Sequence, residues 1–200
     1  MMSRAGEIRR FMSGKLAYIS AIADQGEGKA VLAALRKGLG HAPGEIPEVL
    51  GLILEDMPES FMSKGTKPTD EEWACYTALT LFAMHQQGNE IKTRSMHTEK
   101  PISIGSAMSM YAAVLSDANA KKRMAVKLKA LSTSKDAGEL SYHLKSVIQL
   151  LKTEGIALNY SRLASDIYEF QFPDARSGIC LKWGQDFYRS VKNETDEKEE

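Results

Sequence analysis

The chain has 200 residues, 43% of them apolar and 26% charged, with 26 Lys and Arg balancing 26 Asp and Glu. That length suits one domain with a sizeable core or two small bundles sharing an interface, and the composition excludes a mainly disordered chain. No secretory h-region and no apolar run long enough to cross a bilayer occurs, so a cytoplasmic location is expected.

The zero net charge conceals an asymmetry. Residues 193–200 contain Glu194, Asp196, Glu197, Glu199 and Glu200 against Lys198, which leaves 25 basic and 21 acidic residues in the rest of the chain. The body is therefore mildly basic, and the acidic tail is expected to be solvated and disordered. Cys75 and Cys180 lie far apart in helical patterns, with no thiol or histidine at ligand spacing, and read as reduced and buried.

Ile8, Met12, Leu16, Ile19 and Ile22 recur at helical spacing, predicting a first helix from about Glu7 to Ala23 that Gly26 and Gly28 end. A shorter helix through Val31, Leu32 and Leu35 carries Arg36 and Lys37 in its last turn, with Gly38 beyond as a C-cap. Cations there suit the negative end of the helix dipole, which is a structural reason for the pair. After a loop marked by Pro43, Gly44 and Pro47, Val49, Leu50, Ile53 and Leu54 form a short helix that stops at Met57-Pro58.

Thr69-Asp70-Glu71-Glu72 is a capping box: the Thr69 hydroxyl and the Glu72 carboxylate are placed to satisfy each other's orphan backbone N–H groups. Behind it Trp73, Tyr76, Leu79, Thr80, Phe82 and Ala83 make the helix apolar over more than half its circumference, as at the centre of a bundle. His85 near its end reads as structural. From Gly88 to Pro101 the apolar period disappears and Lys92, Arg94, His97 and Lys100 accumulate. Loops of that length between helices are often functional or mobile.

Ser103-Ile104-Gly105 opens a helix carrying Met108, Tyr111, Ala112 and Leu115. In the next helix, with Asp117 as cap, Met124, Leu128 and Leu131 share one face. At about 100° per residue Lys122 and Lys129 fall opposite them, flanked by Lys121, Arg123 and Lys127. A longer helix follows, buried through Leu140, Leu144, Val147 and Leu151 and carrying Lys135, His143, Lys145 and Lys152. Gly155 ends it as a left-handed cap. Between Asn89 and Lys152 eleven Lys or Arg stand against five Asp or Glu. An ordinary solvated face and a nucleic-acid footprint both fit that excess.

Asn159 is placed to cap a helix whose stripe is Tyr160, Leu163, Ile167 and Phe170. Pro173 and Gly178 break the pattern. A last helix then spaces Trp183, Phe187 and Val191 by four, with Gly184 leaving room for a close neighbour. Aromatics this dense read as a core anchor. Asp166 and Asp186 lie among them, where two carboxylates could share acid–base work, but exposure or local bonding is the simpler expectation. No phosphate loop, His-Glu-x-x-His pair, Cys-x-x-Cys pair or nucleophile elbow occurs, so no catalytic residue, metal or cofactor is assigned. Zinc fingers and RNP-type strands are absent too.

Leu158-Asn159-Tyr160, Leu163-Ala164-Ser165-Asp166-Ile167-Tyr168 and Lys182-Trp183-Gly184-Gln185-Asp186-Phe187-Tyr188-Arg189 together resemble the C-terminal signature of the CasB family, the small subunit of the type I-E CRISPR surveillance complex, Cascade. Ala34-Leu35-Arg36-Lys37-Gly38 is similar to a basic pair of that family, and Ser103-Ile104-Gly105 to its serine-apolar-glycine step.

The expected fold is all-α, about eight or nine helices in two packed bundles at 1–100 and 101–192, divided near the Gly88 to Gly105 loop, with the acidic tail at 193–200. The resemblance implies a non-catalytic subunit, present as two copies beside the guide-RNA-bearing subunits. It would bind the displaced strand of target DNA and stabilise the R-loop in antiviral defence. The residues it points to are Arg36, Lys37, Arg94, Lys100, Lys121, Lys122, Arg123, Lys127, Lys129 and Lys145. The alternative from a different class is a helical protein–protein adaptor whose lysines serve only solubility.

Overall fold

The computed structural model describes residues 2–23, 25–115, 117 and 119–189. Val191 and the acidic tail lie outside them. Within the described residues the chain forms nine α-helices and no strand: α1 Arg4–Ile22, α2 Gly26–Lys37, α3 Pro47–Leu54, α4 Asp70–Gln86, α5 Ile104–Val114, α6 Ala120–Ser132, α7 Ala137–Glu154, α8 Tyr160–Phe170 and α9 Pro173–Tyr188. The all-α expectation holds.

Local chemistry sets most of the ends. The Thr69 hydroxyl accepts from the Glu72 N–H at 3.0 Å while the Glu72 carboxylate accepts from the Thr69 N–H at 2.7 Å, completing the capping box. Ser103, Asp136 and Asn159 cap α5, α7 and α8 through their side-chain oxygens. Gly155 closes α7 at φ 62°, the left-handed cap its position predicts. Four boundaries differ from expectation. Ser3 caps α1 and starts it at Arg4, while Gly26 and Gly28 fall in the first turn of α2. Asp117 is not the cap of α6: Asn119 holds that position, and Asp117 Oδ1 accepts from the Asn119 N–H at 2.9 Å. Gly178 lies inside α9, because Pro173 starts that helix at a position where a missing N–H costs nothing.

α4 is the hub. Every residue from Ala74 to Gln86 is buried, since α2, α3, α7 and α8 surround it. α8 packs between α1 and α4, and α5 packs on α9. Residues on either side of position 100 share one core cluster, from Ile8 to Phe187. Gly105 is what lets α5 approach α9: a Cβ there would collide with the Trp183 carbonyl oxygen. Gly184, expected to admit a neighbour, faces open space instead.

The aromatic anchor is more specific than its spacing suggested. Trp183 is fully buried, stacks on Phe170 at 6.0 Å between ring centroids and donates its Nε1–H to Asp166 Oδ2 at 2.8 Å. Asp166 is therefore buried rather than exposed, and besides the local Arg162, one turn earlier at 3.9 Å, it is bonded across the fold. Burial raises its pKa, opposed by the Trp183 bond and the Arg162 charge. Asp186 likewise bonds across the fold, accepting from Ser103 Oγ at 2.7 Å and Arg162 Nη2 at 2.9 Å.

Candidate nucleic-acid interface

α7 organises the basic surface. Its apolar face, Leu140, Leu144, Val147, Ile148 and Leu151, is buried, which fixes where the remaining side chains point. Lys145 and Lys152 are seven residues apart and share one edge of the helix, facing the chain around α2. Arg36, in the last turn of α2, lies close enough to Lys152 for its charge to lower the Lys152 pKa, an effect secondary to burial. Lys152 Nζ donates to Gln87 Oε1 at 3.1 Å. Beyond the helix end, the Arg94 guanidinium lies against Gly155, where a Cβ would run into it. The C-terminal carbonyl end of α7 favours positive charge and helps hold Lys152 and Arg94 there. None of Arg36, Arg94, Lys145 and Lys152 forms an ion pair among the described residues.

A second group of cations is on α6. Lys121, Lys122, Arg123 and Lys129 are exposed, opposite the buried Met124, Leu128 and Leu131, as the periodicity predicts. Lys121 Nζ sits 5.8 Å from the centroid of the Tyr188 ring. Arg123 is paired with Asp117 at 2.8 Å, and the backbone N–H of Asn119 together with that arginine holds the Asp117 carboxyl below its usual range. Lys127 is half-buried rather than outward: its Nζ donates to Ser146 Oγ of α7 at 2.8 Å, joining the two helices.

Two expected site residues stand apart. Lys37 is exposed but paired with Glu48 at 2.8 Å. Lys100 is exposed on the 87–103 loop, where its carbonyl accepts from Asn159 Nδ2 at 3.2 Å. That loop is stapled to the body. Gln86 Nε2 donates to the carbonyls of Asn89 and Arg94, each at 3.0 Å, and Gln86 Oε1 accepts from the Met96 N–H at 2.8 Å. The Leu158 N–H and carbonyl complete the tie to Met96 and Thr98. Sequence reading left Lys152 out of the site. Its spacing from Lys145 was the available signal, but its proximity to Arg36 depends on how α2 and α7 both pack on α4.

The buried ionisable groups serve the core. His85 is fully buried with Nδ1 2.9 Å from the Tyr160 hydroxyl, and burial, reinforced by the Lys152 charge, pushes its pKa down to about 4. Burial pushes the Cys75 thiol up; Cys180, expected buried, is half-exposed. Among the described residues no three or more His, Cys, Asp or Glu side chains gather where they could hold a metal ion. No described helix is long and apolar enough to cross a membrane.

Residues 31–188 match the family model of the CRISPR-associated protein Cse2. The chain belongs to the Cse2 family. All ten expected site residues fall within the matched span of this Cse2 chain. Among solved structures it is similar to CasB from Thermobifida fusca, with 24% identity over 91% of this chain and 98% of that one at a TM-score of 0.72. It is also similar to a Cse2-family CRISPR-associated protein from Thermus thermophilus, with 18% identity over 94% and 99% of the two chains at a TM-score of 0.64. A structure of CasB from Thermus thermophilus gives 19% identity, the same coverage and a TM-score of 0.62. At these identities the similarity establishes the fold. No curated protein matches the chain.

Proposed function

We propose that this chain is the non-catalytic small subunit of a type I-E CRISPR surveillance complex, two copies lying beside the guide-RNA-bearing subunits, and that it holds nucleic-acid backbone to stabilise the R-loop. The observation that carries this reading is the run of cations along α7, Lys145, Arg36 with Lys152, and Arg94, kept together without carboxylate partners among the described residues. Like charges held near one another repel, and an anion that meets them relieves that repulsion. The exposed lysines of α6 extend the surface. Base pairing would read the target sequence, while these side chains grip phosphates of the displaced strand. R-loop formation exchanges one duplex for another at near-balanced energy, so a few kcal/mol of backbone contact tips it.

The isolated protein should bind single-stranded and duplex DNA without sequence preference, with a dissociation constant on the order of 10⁻⁴ to 10⁻⁶ M at physiological salt. Replacing Lys122, Arg123, Lys127 and Lys129 by alanine, and separately Arg36, Arg94 and Lys145, tests the two groups of cations. Each phosphate contact removed should flatten the log-affinity against log-salt slope by roughly 0.7 for single strands or 0.9 for duplex. Assembled complexes carrying these variants should form R-loops less readily on linear than on supercoiled targets. Unchanged slopes in both variants would overturn the reading in favour of a protein–protein adaptor.

A further inference from the structure

Beside the cationic run lies a cleft of about 310 Å³ whose lining mixes aromatic and basic side chains. One wall is the segment from Leu39 to Glu45 between α2 and α3; the other is α7, whose Gly138, Ser141, Tyr142 and Lys145 fall on one helical face. Half-buried Trp73 of α4 also lines it. Tyr142 stands on the lip with 71% of its surface exposed, meeting the edge of His143 at 5.3 Å between centroids. The Glu45 carboxylate in the wall is engaged by His41 Nδ1 at 2.9 Å, which leaves Lys145 as the charge of the lining without an ion-pair partner among the described residues.

We propose that this cleft is a nucleobase-stacking subsite: an unpaired base of a single strand inserts against Tyr142 and Trp73 while Lys145 meets its phosphate. The inference rests on the nucleic-acid reading above and deepens it. An exposed aromatic beside a lysine is the arrangement that sequence-tolerant single-strand binders use, because every base has a π-face. Position supports it as well. From Lys145 the cations of α7 continue through Lys152 to Arg94 at Gly155, ten residues on or about 15 Å along the helix. Lys127 reaches Ser146, one turn from Tyr142, so the α6 surface joins the run at the cleft. A strand anchored by one base would thus continue along both sets of cations.

The probes are a short oligothymidylate, the matching oligouridylate and an abasic oligomer with the same phosphates. Tyr142→Ala should weaken both base-bearing oligomers roughly five- to hundredfold, leave the abasic oligomer unchanged and preserve the salt slope. Tyr142→Phe should restore wild-type affinity. Trp183 is fully buried, so quenching of tryptophan emission on titration with oligothymidylate should report Trp73 and vanish in Trp73→Phe. The tighter of thymidylate and uridylate identifies DNA or RNA as the occupant. If wild type binds abasic and base-bearing oligomers equally, or Tyr142→Ala binds as wild type, the subsite is overturned while a steep salt slope still supports backbone binding. Absence of salt-dependent binding to any oligomer overturns both.

Discussion

The aromatic anchor of α8 and α9 and the cationic edge of α7 are built on opposite rules. In the anchor, buried polar groups find fixed protein partners: Trp183 donates to Asp166, and Asp186 gathers Ser103 and Arg162. On the edge, Arg36, Lys145, Lys152 and Arg94 have no ion-pair partner among the described residues. A partner supplied from within gives stability. A partner left out is an opening for a ligand, so perturbing the two regions should separate folding from binding.

The largest effect should come from Trp183→Ala, which removes a fully buried ring and the N–H that Asp166 accepts from; the cost should be about 3–5 kcal/mol. Denaturant midpoints measure it, and the folded fraction should keep its DNA affinity. A loss below about 1 kcal/mol would break the contrast, since the anchor would then not hold the fold.

Acid should come next. In the unfolded chain His85 titrates near 6.5, whereas the folded protein keeps it neutral down to about 4. Below pH 6.5 the unfolded state takes up a proton that the folded state refuses, so stability falls as pH drops toward 4, by up to about 3 kcal/mol. Asp166 acts in the opposite sense, because its raised pKa makes the folded state the better proton acceptor. Comparing unfolding free energies across that window in wild type and His85→Gln isolates the histidine. An identical pH slope in both would remove it from the account.

The smallest effects sharpen the contrast from the other side. Lys122→Ala, Lys129→Ala and Arg94→Ala should each shift stability by no more than about 0.5 kcal/mol, because the three side chains are exposed. Thermal or denaturant unfolding checks this. A larger loss for Arg94→Ala would assign its contact with Gly155 to the core rather than to binding.

What the sequence discloses follows the same line. Periodicity identified the buried faces of α1, α4, α6 and α7, and capping chemistry placed Thr69, Asn159 and Gly155, because both act over a few residues. The CasB resemblance was legible in the motifs around Tyr160 and Trp183. Spacing says which face is buried but not what lies opposite. Hence the close approach was expected at Gly184 when it occurs at Gly105, Lys127 was expected outward when it reaches Ser146, and the proximity of Arg36 to Lys152 went unread. Tyr142 carries no signal in one dimension: an exposed aromatic gains meaning only from the cleft beside it.

Gln86 has a consequence for the entropy of binding. Its buried amide spends both ends on the 87–103 loop, so the backbone beneath Arg94 is ordered when the chain folds. A mobile loop would have to surrender that freedom each time an anion arrived, subtracting from the affinity of every contact it made. Here the conformational cost is met once, at folding, and under the proposed function Arg94 would meet a phosphate while immobilising little more than one side chain.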